Sequence, residues 1–260
     1  MQKQFAQRNI QANYSRFEAI QMGENPTIIP VGTFSPREKG CLASHICLLE
    51  QNIGSDKHLH ILEDDVILHE HHHSLLENIL SKIHQNWDIL YTGFTLIQFD
   101  VRKYPTIREV YKQIALGKRN ALGILSTNNI NILGAFSYVV NKNSIEKLHN
   151  IAKEGNEPID VIYQNASVNN LVRSFAVIPS IAKHTPIFPS TVRREYNPKA
   201  YYLQCLYQEL FYIDADMERL FQYFTQHIEK HELRTGKVEP TFEDLTNIIY
   251  LLLNGGKRTK

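Results

Sequence analysis

Between residues 35 and 178 the sequence alternates apolar runs of strand length with segments that open on a helix cap, and this alternation leaves few architectures open. Ser35-Pro36-Arg37-Glu38 is a capping box with proline at the first helical position, and Leu42, Ile46 and Leu49 then recur at helical spacing. The pattern predicts a helix over 36–51. Gly54-Ser55-Asp56 is turn chemistry, and residues 58–62 read as a strand running into Glu63, Asp64 and Asp65. Ser74 with Glu77 has the form of a second capping box, ahead of Leu75, Leu76, Ile79, Leu80 and Ile83 on one helical face. Asn143 with Glu146 has the form of a third, with Ile145, Leu148 and Ile151 inward and Gly155 at the end. Further strands are expected at 88–91, closed by Gly93, at 135–141, and at 171–178, stopped by Pro179. Strands separated by capped helices predict an α/β domain with a mostly parallel central sheet.

Other regions lack this rhythm. From about Phe94 to Ile132 polar residues interrupt the apolar pieces, as in a long functional loop. After about Pro198 the residues Leu203, Leu206, Leu210, Ile213, Met217, Leu220 and Phe224 step at three and four, which predicts a helical appendage. His69, His71, His72 and His73 crowd around Glu70, but neighbouring residues point in different directions, so a solvated turn is expected there and not a metal site.

Composition excludes several classes of function. The 260 residues carry 28 basic and 27 acidic side chains, a net charge of +1, so no global field grips nucleic acid or an anionic membrane. With 43% hydrophobic residues the chain can bury a large core. Its longest apolar run, 248–253, is far below the roughly 18 residues a membrane span needs. The polar opening Met1-Gln2-Lys3-Gln4 does not resemble a secretory leader, and Cys41, Cys47 and Cys205 are too scattered for a disulfide framework. A reducing cytoplasm is the expected location.

The residues richest in chemistry are Glu63, Asp64 and Asp65, three carboxylates at the end of an apolar strand. Such neighbours repel one another and form strands poorly, so a compensating charge is expected. In an extended segment Glu63 and Asp65 point to one side and Asp64 to the other. Hard oxygen ligands so placed suit a magnesium or manganese ion with open positions for a diphosphate, and strand ends of open α/β sheets are where ligands bind. An acidic turn is the plain alternative.

Five blocks in order resemble glycosyltransferase family 25, which builds bacterial lipooligosaccharide and includes collagen galactosyltransferases. They are Gly40-Cys41-Leu42-Ala43-Ser44-His45, Leu62-Glu63-Asp64-Asp65-Val66, residues 87–93, residues 134–140, and Pro158-Ile159-Asp160-Val161 followed by residues 173–179. The likeness spans about residues 15–190. It implies a GT-A type nucleotide-sugar-binding domain, taken over 1–195; the helical C-terminal region over 196–260, read from the apolar spacing, falls outside the likeness. It also implies inverting transfer of galactose or glucose from a UDP-sugar to a lipooligosaccharide acceptor. Mn2+ or Mg2+ would be the cofactor, with Asp65, Glu63 and His184 as the metal set. Donor binding would fall to Asp64, Ser44, His45, Arg193 and Arg194. Inversion needs a general base, and Asp160 is the candidate, with a helix N-cap as its rival role; Asp88 and Asp100 are weaker candidates. His45 also reads as a satisfied core histidine, His184 as a surface histidine, and the two arginines as solvated charges.

The family usually opens with an apolar strand that helps hold the nucleotide. Here the chain starts in what reads as a helix carrying Phe5, Ile10, Tyr14 and Phe17, so that strand is expected to be missing. The alternative function is therefore an inactive sugar-nucleotide or glycan binding protein. A phosphoesterase is a third reading, without a nucleophile to support it. The aromatic-rich C-terminal helices suit packing on the domain, a homodimer contact, or peripheral association with the inner membrane.

Overall fold

The computed structural model describes residues 1–21, 35–83, 86–96, 110, 122–128, 130, 132–184, 208 and 211–214. In chain order these form α1 (Gln2–Gln7), α2 (Pro36–Gln51), β1 (Leu59–Leu62), β2 (Val66–Leu68), α3 (His72–Leu80), β3 (Ile89–Leu96), β4 (Gly123–Ser126), β5 (Ile132–Val140), α4 (Ile145–Glu154), α5 (Ile159–Val168), β6 (Ser174–Ile178) and β7 (Ala182–His184). Five strands make one sheet in the order β1-β5-β3-β6-β4, and β2 pairs with β7 in a small second sheet.

The central sheet is mixed, which corrects the expectation of a mostly parallel one. Among the described strands only β3 and β6 pair in parallel; β1–β5, β5–β3 and β6–β4 are antiparallel. The strands separated by helices, β1, β3 and β6, do run in one direction. Strand β5 runs the other way and inserts between β1 and β3, and β4 covers the far edge beside β6. Sequence alternation reports which segments are strands, but not that a reversed strand will slot between two codirectional ones.

Side chains alternate across the sheet as the pleat requires. Ile89, Tyr91, Tyr138, Val140, Ala176 and Ile178 pack on the face covered by α2, α4 and α5, while Leu90, Val139 and Val177 pack with Leu75, Leu76 and Ile79 of α3 on the other. A third cluster joins Ile10, Val66, Leu68, Phe136 and Ala182 around the small sheet. It anchors the N-terminal segment.

Helix α2 starts as its capping box demands. Ser35 N–H donates to Glu38 Oε2 at 2.6 Å and Glu38 N–H donates to Ser35 Oγ at 3.3 Å. The two other expected boxes do not form. Helix α3 begins before Ser74, whose hydroxyl donates to His71 O, and α4 follows a 3-10 turn at Lys142–Ser144 that Asn141 caps. The expected N-terminal helix ends at Gln7, because Asn9 adopts φ 55, and residues 14–21 carry no helix. No strand lies among residues 1–21. Instead, Gln4 lies along the outer edge of β2, donating from Nε2 to Val66 O and accepting from Leu68 N–H. Arg8 adds bonds to Leu68 O and His69 O. These side chains satisfy an edge that would otherwise expose unpaired backbone.

Residues 211–214 form a turn and not a helix. Ile213 N–H donates to Ser180 O, and Gln208 Nε2 donates to Thr95 Oγ1 at 2.8 Å, so this part of the C-terminal region is docked on the α/β unit. The remainder of 196–260 and the boundary at 195 lie outside the described residues. Among the described residues no helix is long and apolar enough to cross a membrane.

Candidate active site

The acidic triplet occupies the turn that carries the chain from β1 in the large sheet to β2 in the small one. Glu63 N–H donates to Phe136 O at 2.9 Å, extending the β1–β5 ladder by one step. The chain then turns at Asp64 and Asp65. Because that turn is not extended, Glu63 and Asp65 do not share a partner, which corrects their expected convergence. Glu63 faces α2, with Oε1 3.9 Å from His45 Nε2. Asp65 faces β7, with Oδ2 2.6 Å from His184 Nε2. Asp64 is exposed.

The pairing of Asp65 with His184 follows from register. Val66 stands opposite His184 in the β2–β7 ladder, so the residue before Val66 reaches the imidazole. The Asp65 side chain is 26% exposed, yet its Oδ1 is buried and has no hydrogen-bond partner. A buried carboxylate oxygen without a donor is costly unless a cation occupies its free side. The edge of the Phe136 ring packs against His184, with ring centroids 5.9 Å apart.

Two glycines allow this junction to close. A Cβ on Gly93 would sit 2.5 Å from the Phe136 ring and 2.7 Å from Ala182 O, so β3 approaches β7 only without a side chain there. Gly134 adopts φ 88, and its N–H donates to Asp160 Oδ2 at 3.0 Å. Gly134 and Phe136 are two residues apart on β5, roughly 7 Å along a strand. Asp160 and the acidic turn are therefore fastened to the same end of β5.

Asp160 lies in the first turn of α5, where Pro158 and not Asp160 is the N-cap. Its Oδ1 accepts from Val161 N–H at 2.9 Å. Four residues on, Gln164 Oε1 accepts from Ile132 N–H, so α5 presents acceptors to alternate amides along the start of β5. Each Asp160 oxygen takes one protein hydrogen bond and retains a second lone pair.

His45 is 4% exposed and its Nδ1 lies 2.7 Å from the Tyr138 hydroxyl. Burial alone would lower its pKa, but Cys41 and then Glu63 outweigh it and hold the imidazole up to about 10. Ser44 bridges two backbone segments. Its hydroxyl donates to Gly40 O and accepts from Ile20 N–H, each at 2.8 Å, pinning the N-terminal segment to α2. Arg193, Arg194 and Asp100 lie outside the described residues. Asp88 belongs to the opposite end of the sheet, where Ser144 Oγ, Lys147 Nζ and Arg173 N–H all donate to it.

The histidine run is not the solvated turn expected of it. His69 and His72 are buried, 4% and 0% exposed, and His72 stacks on His60 with ring centroids 5.3 Å apart. His69 Nε2 reaches Asp214 Oδ2 at 3.0 Å. Polar residues this dense read as surface, but the α3 start turns alternate imidazoles inward. Cys41, one of three scattered thiols in the sequence, stands one helical turn before His45 on α2, and the Phe136 ring fills the space left open at Gly93 and Gly134. The pairing of β2 with β7 had no signal, since each is three residues long.

Comparison with known protein families matches residues 1–163 to glycosyltransferase family 25, described as an LPS biosynthesis protein. Comparison with curated proteins gives no match. The matched range includes the acidic turn, His45 and Asp160, and ends before β6 and His184. It covers more than half of the chain, and the protein belongs to glycosyltransferase family 25.

Proposed function

We propose that the protein is a metal-dependent, inverting hexosyltransferase that moves galactose or glucose from a UDP-sugar to a lipopolysaccharide or lipooligosaccharide acceptor on a GT-A type domain. Family membership supports glycosyl transfer in lipopolysaccharide biosynthesis. The observation that carries the finer reading is the buried, unpartnered Oδ1 of Asp65 beside His184, at the same end of the sheet as Asp160.

Of the two expected ions, Mn2+ or Mg2+, Asp65 and His184 would hold Mn2+ better, since the carboxylate suits both but an imidazole nitrogen suits a transition metal and magnesium prefers oxygen. When bound, the ion would neutralise charge developing on the departing diphosphate. Asp64, exposed on the same turn, would meet the donor from solvent. Asp160 would accept the proton of the acceptor hydroxyl as that oxygen attacks the anomeric carbon on the face opposite the leaving group. Its bonds from Gly134 N–H and Val161 N–H stabilise the carboxylate and fix its direction. The Phe136 ring and the close approach of β3 to β7 give the site a rigid, apolar floor.

Incubation with Mn2+ and a panel of UDP-sugars, with and without lipooligosaccharide, tests the reading through UDP release. Acceptor-dependent release that disappears in Asp65→Ala supports it. Release that is unchanged in Asp65→Ala refutes the metal role. Tight UDP binding with no turnover on any donor instead supports an inactive binding protein.

A further inference from the structure

Cys41 and His45 stand one helical turn apart on α2, so their side chains share a face, and the turn after β1 brings Glu63 to that face. One ligand atom from each of the three residues lies within 4.8 Å of the other two. Tyr138 engages His45 Nδ1 at 2.7 Å, leaving Nε2 directed at Glu63 Oε1 across 3.9 Å. Metal-binding histidines use this same arrangement, one ring nitrogen held by an outer partner and the other on the ion. Glu63 is 37% exposed, so the set opens to solvent on one side and leaves room for a fourth ligand.

We propose that Cys41, His45 and Glu63 form a binding site for a thiophilic divalent cation, zinc by its chemistry, separate from Asp65 and His184. A sulfur, a nitrogen and an oxygen ligand with one open position match zinc's preference, whereas magnesium and calcium take oxygen ligands throughout. Tetrahedral ligand atoms stand about 3.5 Å apart. Rotation of the part-exposed Glu63 carboxylate supplies the small contraction required. The site does not depend on the glycosyltransferase reading, because its occupancy is read without sugar donor or acceptor. Glu63 shares a three-residue turn with Asp65, so a cation held by Glu63 also fixes the position of that turn against α2.

Cobalt(II) titration of the full chain, followed by zinc competition, tests the site. The expected result is one equivalent of cobalt with a thiolate-to-metal charge-transfer band that zinc displaces. That band is lost in Cys41→Ser and retained in Cys47→Ser, whose thiol is outside the set. Tyr138→Phe is expected to weaken zinc binding by about ten- to a hundredfold through loss of the outer bond to His45. A second measurement covers a misfolded variant: in the wild-type chain, zinc but not magnesium should slow alkylation of Cys41, located by peptide mass. No charge-transfer band in the wild type, a band that survives Cys41→Ser, or alkylation of Cys41 indifferent to zinc would overturn the proposal.

Discussion

Asp88 and Asp65 are the same residue type at opposite ends of one sheet, and their surroundings differ in kind. Asp88, at the start of β3, is 6% exposed and receives hydrogen bonds from Ser144, Lys147 and Arg173. Burial works to raise its pKa, but the Arg173 amide, the Ser144 hydroxyl and Lys147 outweigh it and hold the carboxyl below the usual range. Asp65, in the turn leaving β1, has one oxygen on His184 and one buried oxygen with no donor. A carboxylate whose lone pairs are met by protein donors is part of the scaffold, and one left short is poised for something that arrives later.

The comparison is broken most severely at Asp160. Asp160→Asn keeps a carbonyl acceptor for Gly134 N–H but is a poor base, so turnover is expected to fall by about 10²- to 10⁴-fold. Thermal midpoint should fall by only a few degrees, the cost of the Val161 N–H bond that an amide nitrogen cannot accept. A fall in stability that matches the fall in turnover would make Asp160 a tether and nothing more.

The reverse pattern is expected at the other end. Asp88→Ala strands the Ser144 hydroxyl and the Arg173 amide, and is expected to cost about 2–3 kcal/mol by denaturant unfolding. Metal-dependent turnover per folded molecule should be retained. The Asp88 contribution is present above the unfolded carboxylate pKa, near 3.9, and is lost as pH falls through its lower folded value.

The part-buried His60 and the buried His72 sharpen the contrast through pH. Burial, then His73, lowers the His60 pKa to about 3, and burial lowers that of His72 well below its ordinary value. Their neutral forms are therefore favoured in the fold. The unfolded chain takes up protons on these two residues first, so their contribution to stability is full above about pH 6.5 and declines as pH falls toward the folded values. His60 alone is expected to remove about 2 kcal/mol by about pH 5. Replacing His60 and His72 with asparagine or phenylalanine should flatten that slope in urea titrations. A slope that persists unchanged would place the acid sensitivity elsewhere.

The smallest effects separate a real cap from an apparent one. Ser35→Ala is expected to cost about 1 kcal/mol, because both bonds of its capping box are made. Ser74→Ala should be nearly neutral, since α3 already starts at His72.

These cases also mark what a reader of the sequence can and cannot see. The helix over Pro36–Gln51 and the strand over Leu59–Leu62 are legible because cap chemistry and apolar spacing are local. Both Asp65 and His184 were legible as ligand candidates from residue type and family resemblance. Their contact was not, since it depends on the β2–β7 register across more than a hundred residues. The reversal of β5 and the run of β3 past Gly93 were hidden for the same reason. Gly93 reads as a strand end, yet it is retained inside β3 because Phe136 and Ala182 need the space a side chain would fill. The partner of Glu63 was misread because the i, i+2 rule holds only while the chain stays extended, and the chain turns at Asp64.

Mn2+ binding in the presence of UDP, followed by electron paramagnetic resonance, tests the central claim most directly. The account predicts one UDP-dependent Mn2+ in the wild-type chain, lost in Asp65→Asn and kept in Asp88→Asn. Equal Mn2+ binding by wild type and Asp65→Asn would contradict it.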